Sequence, residues 1–119
     1  MKARFTDNSI RLRLRKSDIA TLKENGEVTM SIGFLPGPFH FTLRVDTQSK
    51  AMGAERYRDG IVIALPAKMG LEWMDTDRVG LEGTMPANNG EVLNILVEKD
   101  FPCAHRPMED KSDTFHELG

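Results

Sequence analysis

Residues 9–15, Ser9-Ile10-Arg11-Leu12-Arg13-Leu14-Arg15, alternate between polar and apolar. A period of two puts Ile10, Leu12 and Leu14 on one face of a strand, towards a core, and the arginines on the other. Asp7-Asn8 just ahead has turn chemistry, and Ala3-Arg4-Phe5 before it supplies the partner strand of a hairpin. Ser17 then caps a short helix that carries Asp18 in its first turn and Ile19 and Leu22 on one face, and Gly26 stops it. Alternation resumes over 27–34 and, beyond the Leu35-Pro36-Gly37-Pro38 turn, over 39–45.

The second half repeats this order. An offset of 51 residues superposes Ile10, Leu12 and Leu14 on Ile61, Ile63 and Leu65, Leu22 on Trp73, Val28 on Val79 and Met30 on Leu81. A second helix falls at Ala67 to Asp75, and a strand after Arg78 pairs with 91–97 across the Pro86-Ala87-Asn88-Asn89-Gly90 turn. The expected fold is α+β, mainly antiparallel because the connections are short, with two short helices and an internal pseudo-two-fold repeat of β-β-α-β-β units. One domain spans 1–101, its halves about 1–50 and 51–101, followed by a tail at 102–119. With a shifted boundary the unit is one strand, a helix and three strands, which is similar in topology to the repeated unit of the sliding-clamp fold; topology alone carries no function.

Composition fits that picture and excludes other classes. At 119 residues, with 39% hydrophobic and 29% charged side chains, the chain suits one folded domain and argues against disorder or a membrane protein. No stretch approaches the roughly 18 apolar residues of a spanning helix, and Met1-Lys2-Ala3-Arg4 leads into polar sequence unlike a signal peptide. The single cysteine, Cys103, excludes an internal disulfide and suits a reducing compartment. The expected location is the cytoplasm.

Charge changes the picture most. The net of −2 conceals a first segment, 1–16, in which six cations face Asp7 alone for a net of +5. If the hairpin turns at Asp7-Asn8, Arg4 faces Arg11 and Lys2 faces Arg13 on the surface opposite the apolar positions. Lys2, Arg4, Arg11, Arg13 and Arg15 then form a basic stripe. As a functional surface it would meet a phosphate, a nucleic acid or an acidic protein partner. As an ordinary solvated face it would be neutralised by neighbouring acidic strands, such as the one carrying Glu91 and Glu98, and this is the favoured balance. The stripe holds no aromatic side chains for base stacking, which counts against nucleic acid.

Beyond Glu98 the periodicity stops. Cys103, His105, Glu109, Asp110, Asp113 and His116 gather thiol, imidazole and carboxylate groups, the donor types of zinc and non-haem iron sites. Their spacing matches no standard metal motif, and an acidic tail with a bystander cysteine is the simpler reading. Elsewhere His40 falls on the polar face of its strand, Trp73 with Met69 reads as core, Asp75 and Asp77 read as a helix-ending loop, and the glycines form no phosphate loop.

The segments Asn8-Ser9-Ile10-Arg11-Leu12-Arg13-Leu14, Val79-Gly80-Leu81-Glu82-Gly83 and Ile95-Leu96-Val97-Glu98-Lys99-Asp100-Phe101, followed by Cys103, resemble a small bacterial family of unknown function. The resemblance implies no activity; it implies only that Cys103 and its flank are a family feature. The sequence therefore points to a non-enzymatic binding or interaction domain with a basic N-terminal hairpin. The alternative is a metal-binding protein centred on Cys103 and His105. Nothing in the sequence fixes the oligomeric state.

Overall fold

The computed structural model describes residues 1–101. The chain runs β1 (Lys2–Thr6), β2 (Ser9–Leu14), α1 (Lys16–Asn25), β3 (Glu27–Gly33), β4 (Pro38–Asp46), β5 (Gly53–Tyr57), β6 (Gly60–Pro66), α2 (Ala67–Asp75), β7 (Gly80–Pro86) and β8 (Val92–Lys99). These strands make two four-stranded sheets: sheet A in the order β1-β2-β8-β7 and sheet B in the order β3-β4-β6-β5. The fold is α+β, as expected.

Strand pairing departs from expectation at the centre of each sheet. The four hairpins β1–β2, β3–β4, β5–β6 and β7–β8 are antiparallel, but β2 runs parallel to β8 and β4 parallel to β6. The reason is visible in sheet B. After β4 the chain skips a strand position to lay down β5, then folds β6 back into the gap. A strand between two antiparallel neighbours must run parallel to one of them. Both sheets are therefore mixed, although each of the four hairpins keeps its antiparallel pairing.

Direction along the sheets fixes the ends of the molecule. α1 leaves the C-terminal end of β2 and delivers the chain to β3, while α2 leaves the C-terminal end of β6 and delivers it to β7. Given the pairing, both helices and the 47–52 crossover lie at one end of the two sheets, and all four hairpin turns lie at the other. Each helix thus bridges from one sheet to the other.

The alternation in the sequence becomes burial between the sheets. Ile10, Leu12, Leu14, Leu81, Ile95 and Val97 face inwards from sheet A, and Val28, Leu43, Ile63 and Leu65 from sheet B, in one cluster with Leu22 of α1 and Trp73 of α2. Each such side chain contributes about 1.5–3 kcal/mol by leaving water. Trp73 is fully buried, and its indole N–H donates to the Val79 carbonyl at 2.9 Å, which removes the cost of burying that donor. Val79, which the 51-residue offset places on Val28, is half exposed and precedes β7, whose buried residue is Leu81.

Local signals set the helix ends. α1 begins one residue before Ser17, and its first turn is closed by the Asp18 carboxylate accepting the Arg15 backbone N–H at 2.9 Å, so Asp18 takes the capping role expected of Ser17. It stops at Gly26, whose φ of 79° is open to glycine and whose N–H returns to the Leu22 carbonyl at 2.9 Å. α2 spans Ala67–Asp75 as expected.

Candidate functional site

The outer face of sheet A collects the basic stripe. The β1–β2 register pairs Lys2 with Arg13 and Arg4 with Arg11, with Thr6 opposite Ser9, as a turn at Asp7-Asn8 requires. Asn8 closes that turn with φ 54°. On the other side of β2, parallel pairing brings Asn94, Leu96 and Glu98 of β8 beside Ser9, Arg11 and Arg13.

Glu98 carries much of the neutralisation. Its Oε1 accepts from Arg13 Nε at 2.9 Å and lies 3.6 Å from Arg11 Nε, with the Glu98 side chain only 15% exposed. Lys2 Nζ reaches the Asp100 carboxylate at 3.1 Å. Arg15 lies beyond the end of β2, beside Asp18 of α1 at 3.7 Å, so it is separated from the other four. Glu91, the second expected neutraliser, hydrogen-bonds Asn8 in the neighbouring turn instead.

Arg4 is left over. Among the described residues it forms no ion pair or hydrogen bond through its guanidinium, although it stands directly opposite Arg11. Arg4, Arg11, the hydroxyl-bearing Thr6 and Ser9, and Leu96 together line an open cleft of about 220 Å³. Among the described residues no carboxylate lines this cleft, and although Arg11 is shared with Glu98 at 3.6 Å on its other side, Arg4 and the two hydroxyls leave donors for an oxyanion.

The outer face of sheet B was not singled out by the sequence, and it is organised differently. Glu27 pairs with Arg44 at 3.2 Å, Thr29 Oγ1 meets Thr42 Oγ1 at 2.8 Å, and Ser31 Oγ meets His40 Nδ1 at 2.6 Å, three cross-strand pairs in one row. The expected turn at 35–38 would have set residue 31 opposite 42; the loop runs over 34–37 instead, one residue earlier, which sets Ser31 opposite His40. At the far edge, Gly60 lets β4 and β6 approach closely: a β-carbon there would lie 2.6 Å from the His40 carbonyl oxygen.

A cleft of about 360 Å³ opens beyond this row, lined by Arg44, Asp46, Ser49, Glu55, Tyr57 and apolar or small residues that include Met85. Its acids and phenol already have partners. The Ser49 hydroxyl and the Gln48 backbone N–H bond the Asp46 carboxylate at 2.7 and 2.8 Å and hold it below the usual carboxylate range. The hydrogen bond from Tyr57 to Glu55 raises the phenol above its usual value of 10.0. Ser31 and His40 resemble a nucleophile and base, but among the described residues no carboxylate orients the imidazole. The contact is one rung of the polar row that also holds the Glu27–Arg44 and Thr29–Thr42 pairs.

The metal donors Cys103, His105, Glu109, Asp110, Asp113 and His116 lie outside the described residues. Among the described residues no group of three or more His, Cys, Asp or Glu side chains is placed to hold a metal ion. No helix is long and apolar enough to cross a membrane among those residues.

The chain belongs to DUF7009, a family of unknown function whose model matches residues 1–118. No curated protein and no solved structure matches it.

Proposed function

We propose that this member of DUF7009 is a non-enzymatic, cytoplasmic binding domain that receives an oxyanion of a partner, a carboxylate or phosphate group, on the outer face of sheet A. The observation that carries this reading is the Arg4–Arg11 pair. Like charges directly opposed across a hairpin cost a fraction of a kcal/mol, and Arg4 has no acid of its own among the described residues. Thr6 and Ser9 add neutral donors to the same cleft. An oxyanion there would accept from both guanidinium groups and remove their repulsion. Lys2 and Arg13 are engaged by Asp100 and Glu98, so they frame the site electrostatically rather than bind directly. An acidic or phosphorylated protein segment suits the face better than nucleic acid, because no aromatic side chain is interleaved with the arginines.

The two halves are read here as a pseudo-two-fold pair. Exchanging β1, β2, β3 and β4 with β5, β6, β7 and β8 turns the order of sheet A into the order of sheet B, which supports common descent of the halves. On that reading the Arg4–Arg11 position corresponds to the β5–β6 hairpin, where Glu55 and Val62 are opposed without like charge. The basic face would then be an acquisition of one half. A metal site at Cys103 and His105 is a separate proposal, resting on donor types in the sequence and decided by elemental analysis of untagged protein.

The test is thermal unfolding at low ionic strength with increasing inorganic phosphate. The midpoint rises with phosphate in the wild type, the rise disappears in Arg4→Ala, and added sodium chloride suppresses it. A midpoint indifferent to phosphate, or a rise that survives Arg4→Ala unchanged, refutes the reading.

A further inference from the structure

A different region, independent of the anion site, carries an interaction surface. The β3–β4 connection at the turn end exposes three successive large apolar residues around Gly33: Ile32 at 45%, Phe34 at 59% and Leu35 at 99%. Scattered exposed leucines are ordinary, whereas a contiguous apolar projection marks a contact site. Behind it the aromatic rings form a fixed wall, Phe39 edge-on to Phe41 at 5.2 Å and Phe41 against Phe5 of β1 at 5.4 Å.

Beside the projection lies a cleft of about 610 Å³ between the β3–β4 connection and the β5–β6 turn, lined by Phe34, Pro36, Pro38, Phe39, Arg58 and Asp59. Leu35 does not line this cleft and stands almost fully exposed beside it. Neither Arg58 nor Asp59 forms an ion pair among the described residues, so the rim carries one free charge of each sign. A projecting apolar knob, an apolar cleft and paired opposite charges on one patch are what a two-fold interface requires, since each element meets its complement on an identical surface.

We propose that two copies of this chain associate through their turn ends, each inserting Leu35 into the cleft of the other, with Arg58 of each copy facing Asp59 of the other. A lipid surface is the less fitting occupant. The charged residues of the hairpin turns, Asp7, Arg58, Asp59 and Glu91, are acidic on balance, and an anionic bilayer would repel them.

Sedimentation equilibrium on the full chain tests this. The wild type is expected to show reversible association to a dimer below about 1 mM, and Leu35→Asp to weaken it by at least about tenfold with unchanged circular dichroism, since Leu35 makes no buried contact. Arg58→Asp and Asp59→Arg each weaken association, and the double exchange restores it, because the exchanged charges again face opposite partners in a homodimer. A wild type that stays monomeric throughout, a Leu35→Asp variant that dimerises as the wild type does, or a double exchange that fails to restore association overturns the proposal. Binding of the monomer to lipid vesicles in place of dimerisation also overturns it.

Discussion

The β1–β2 and β3–β4 hairpins are built alike and paired in opposite ways on their outer faces. In β3–β4 each outward residue meets a chemical complement across the strand: Glu27 with Arg44, Thr29 with Thr42, Ser31 with His40. In β1–β2 the same positions hold Lys2 against Arg13 and Arg4 against Arg11. One hairpin is satisfied by itself. The other depends on acids brought from the distant C-terminal strand and the residue just after it, Glu98 and Asp100, and those acids do not reach Arg4. A face that is stable only when completed from outside is where a binding site is to be sought, and the comparison separates such a face from a merely polar one.

Removing the borrowed acid breaks the comparison most sharply. Glu98→Ala leaves Arg11 and Arg13 without their carboxylate in a partly buried setting, and a loss of about 2 kcal/mol in denaturant unfolding is expected. The corresponding Glu27→Ala in the self-paired hairpin, where both partners are nearly half exposed, is expected to cost under about 0.5 kcal/mol.

Asp18 gives a second, pH-dependent handle on how the basic hairpin is tied down. Burial acts to raise its carboxyl, but hydrogen bonds from the Met1 amine and the Arg15 backbone N–H, with the positive charges of both residues, prevail and hold it below its usual 3.8. A lowered folded value means that its contribution is complete above 3.8 and is lost as pH falls through the folded value. Asp18→Asn is therefore expected to cost about 1 kcal/mol at pH 7, and the gap from wild type to close in unfolding titrations below that range.

Much of this architecture is legible in the sequence because burial on one face leaves a period of two. Ile10, Leu12 and Leu14 announced β2 and its facing, and Asp7-Asn8 fixed the register that opposes Arg4 to Arg11. β5 left no such trace, since Gly53-Ala54-Glu55-Arg56-Tyr57 does not alternate and is an edge strand with only one partner; it was expected only from the order of the first half. The parallel pairs were hidden for another reason. Hairpin turns report which consecutive strands pair, whereas β2 with β8 is a contact between strands more than 80 residues apart that no turn announces. The same long-range contact supplies Glu98, so the sequence could name it as a candidate neutraliser without showing that Arg4 would be left out.

Two smaller effects sharpen the contrast. A double-mutant cycle of Thr29→Val and Thr42→Val should show a coupling of about 0.5 kcal/mol, the worth of one satisfied rung. Arg4→Thr should do the reverse of a normal surface mutation and stabilise the anion-free protein by a few tenths of a kcal/mol, because it relieves a like-charge pair.

The most direct measurement is a backbone amide NMR titration of the full chain with inorganic phosphate at low salt. Saturable shifts centred on Thr6, Ser9 and Arg11 and their strand neighbours, absent in Arg4→Ala, are expected if Arg4 and Arg11 form an oxyanion site. Shifts that never saturate, or that centre on the self-paired outer face of sheet B, contradict it.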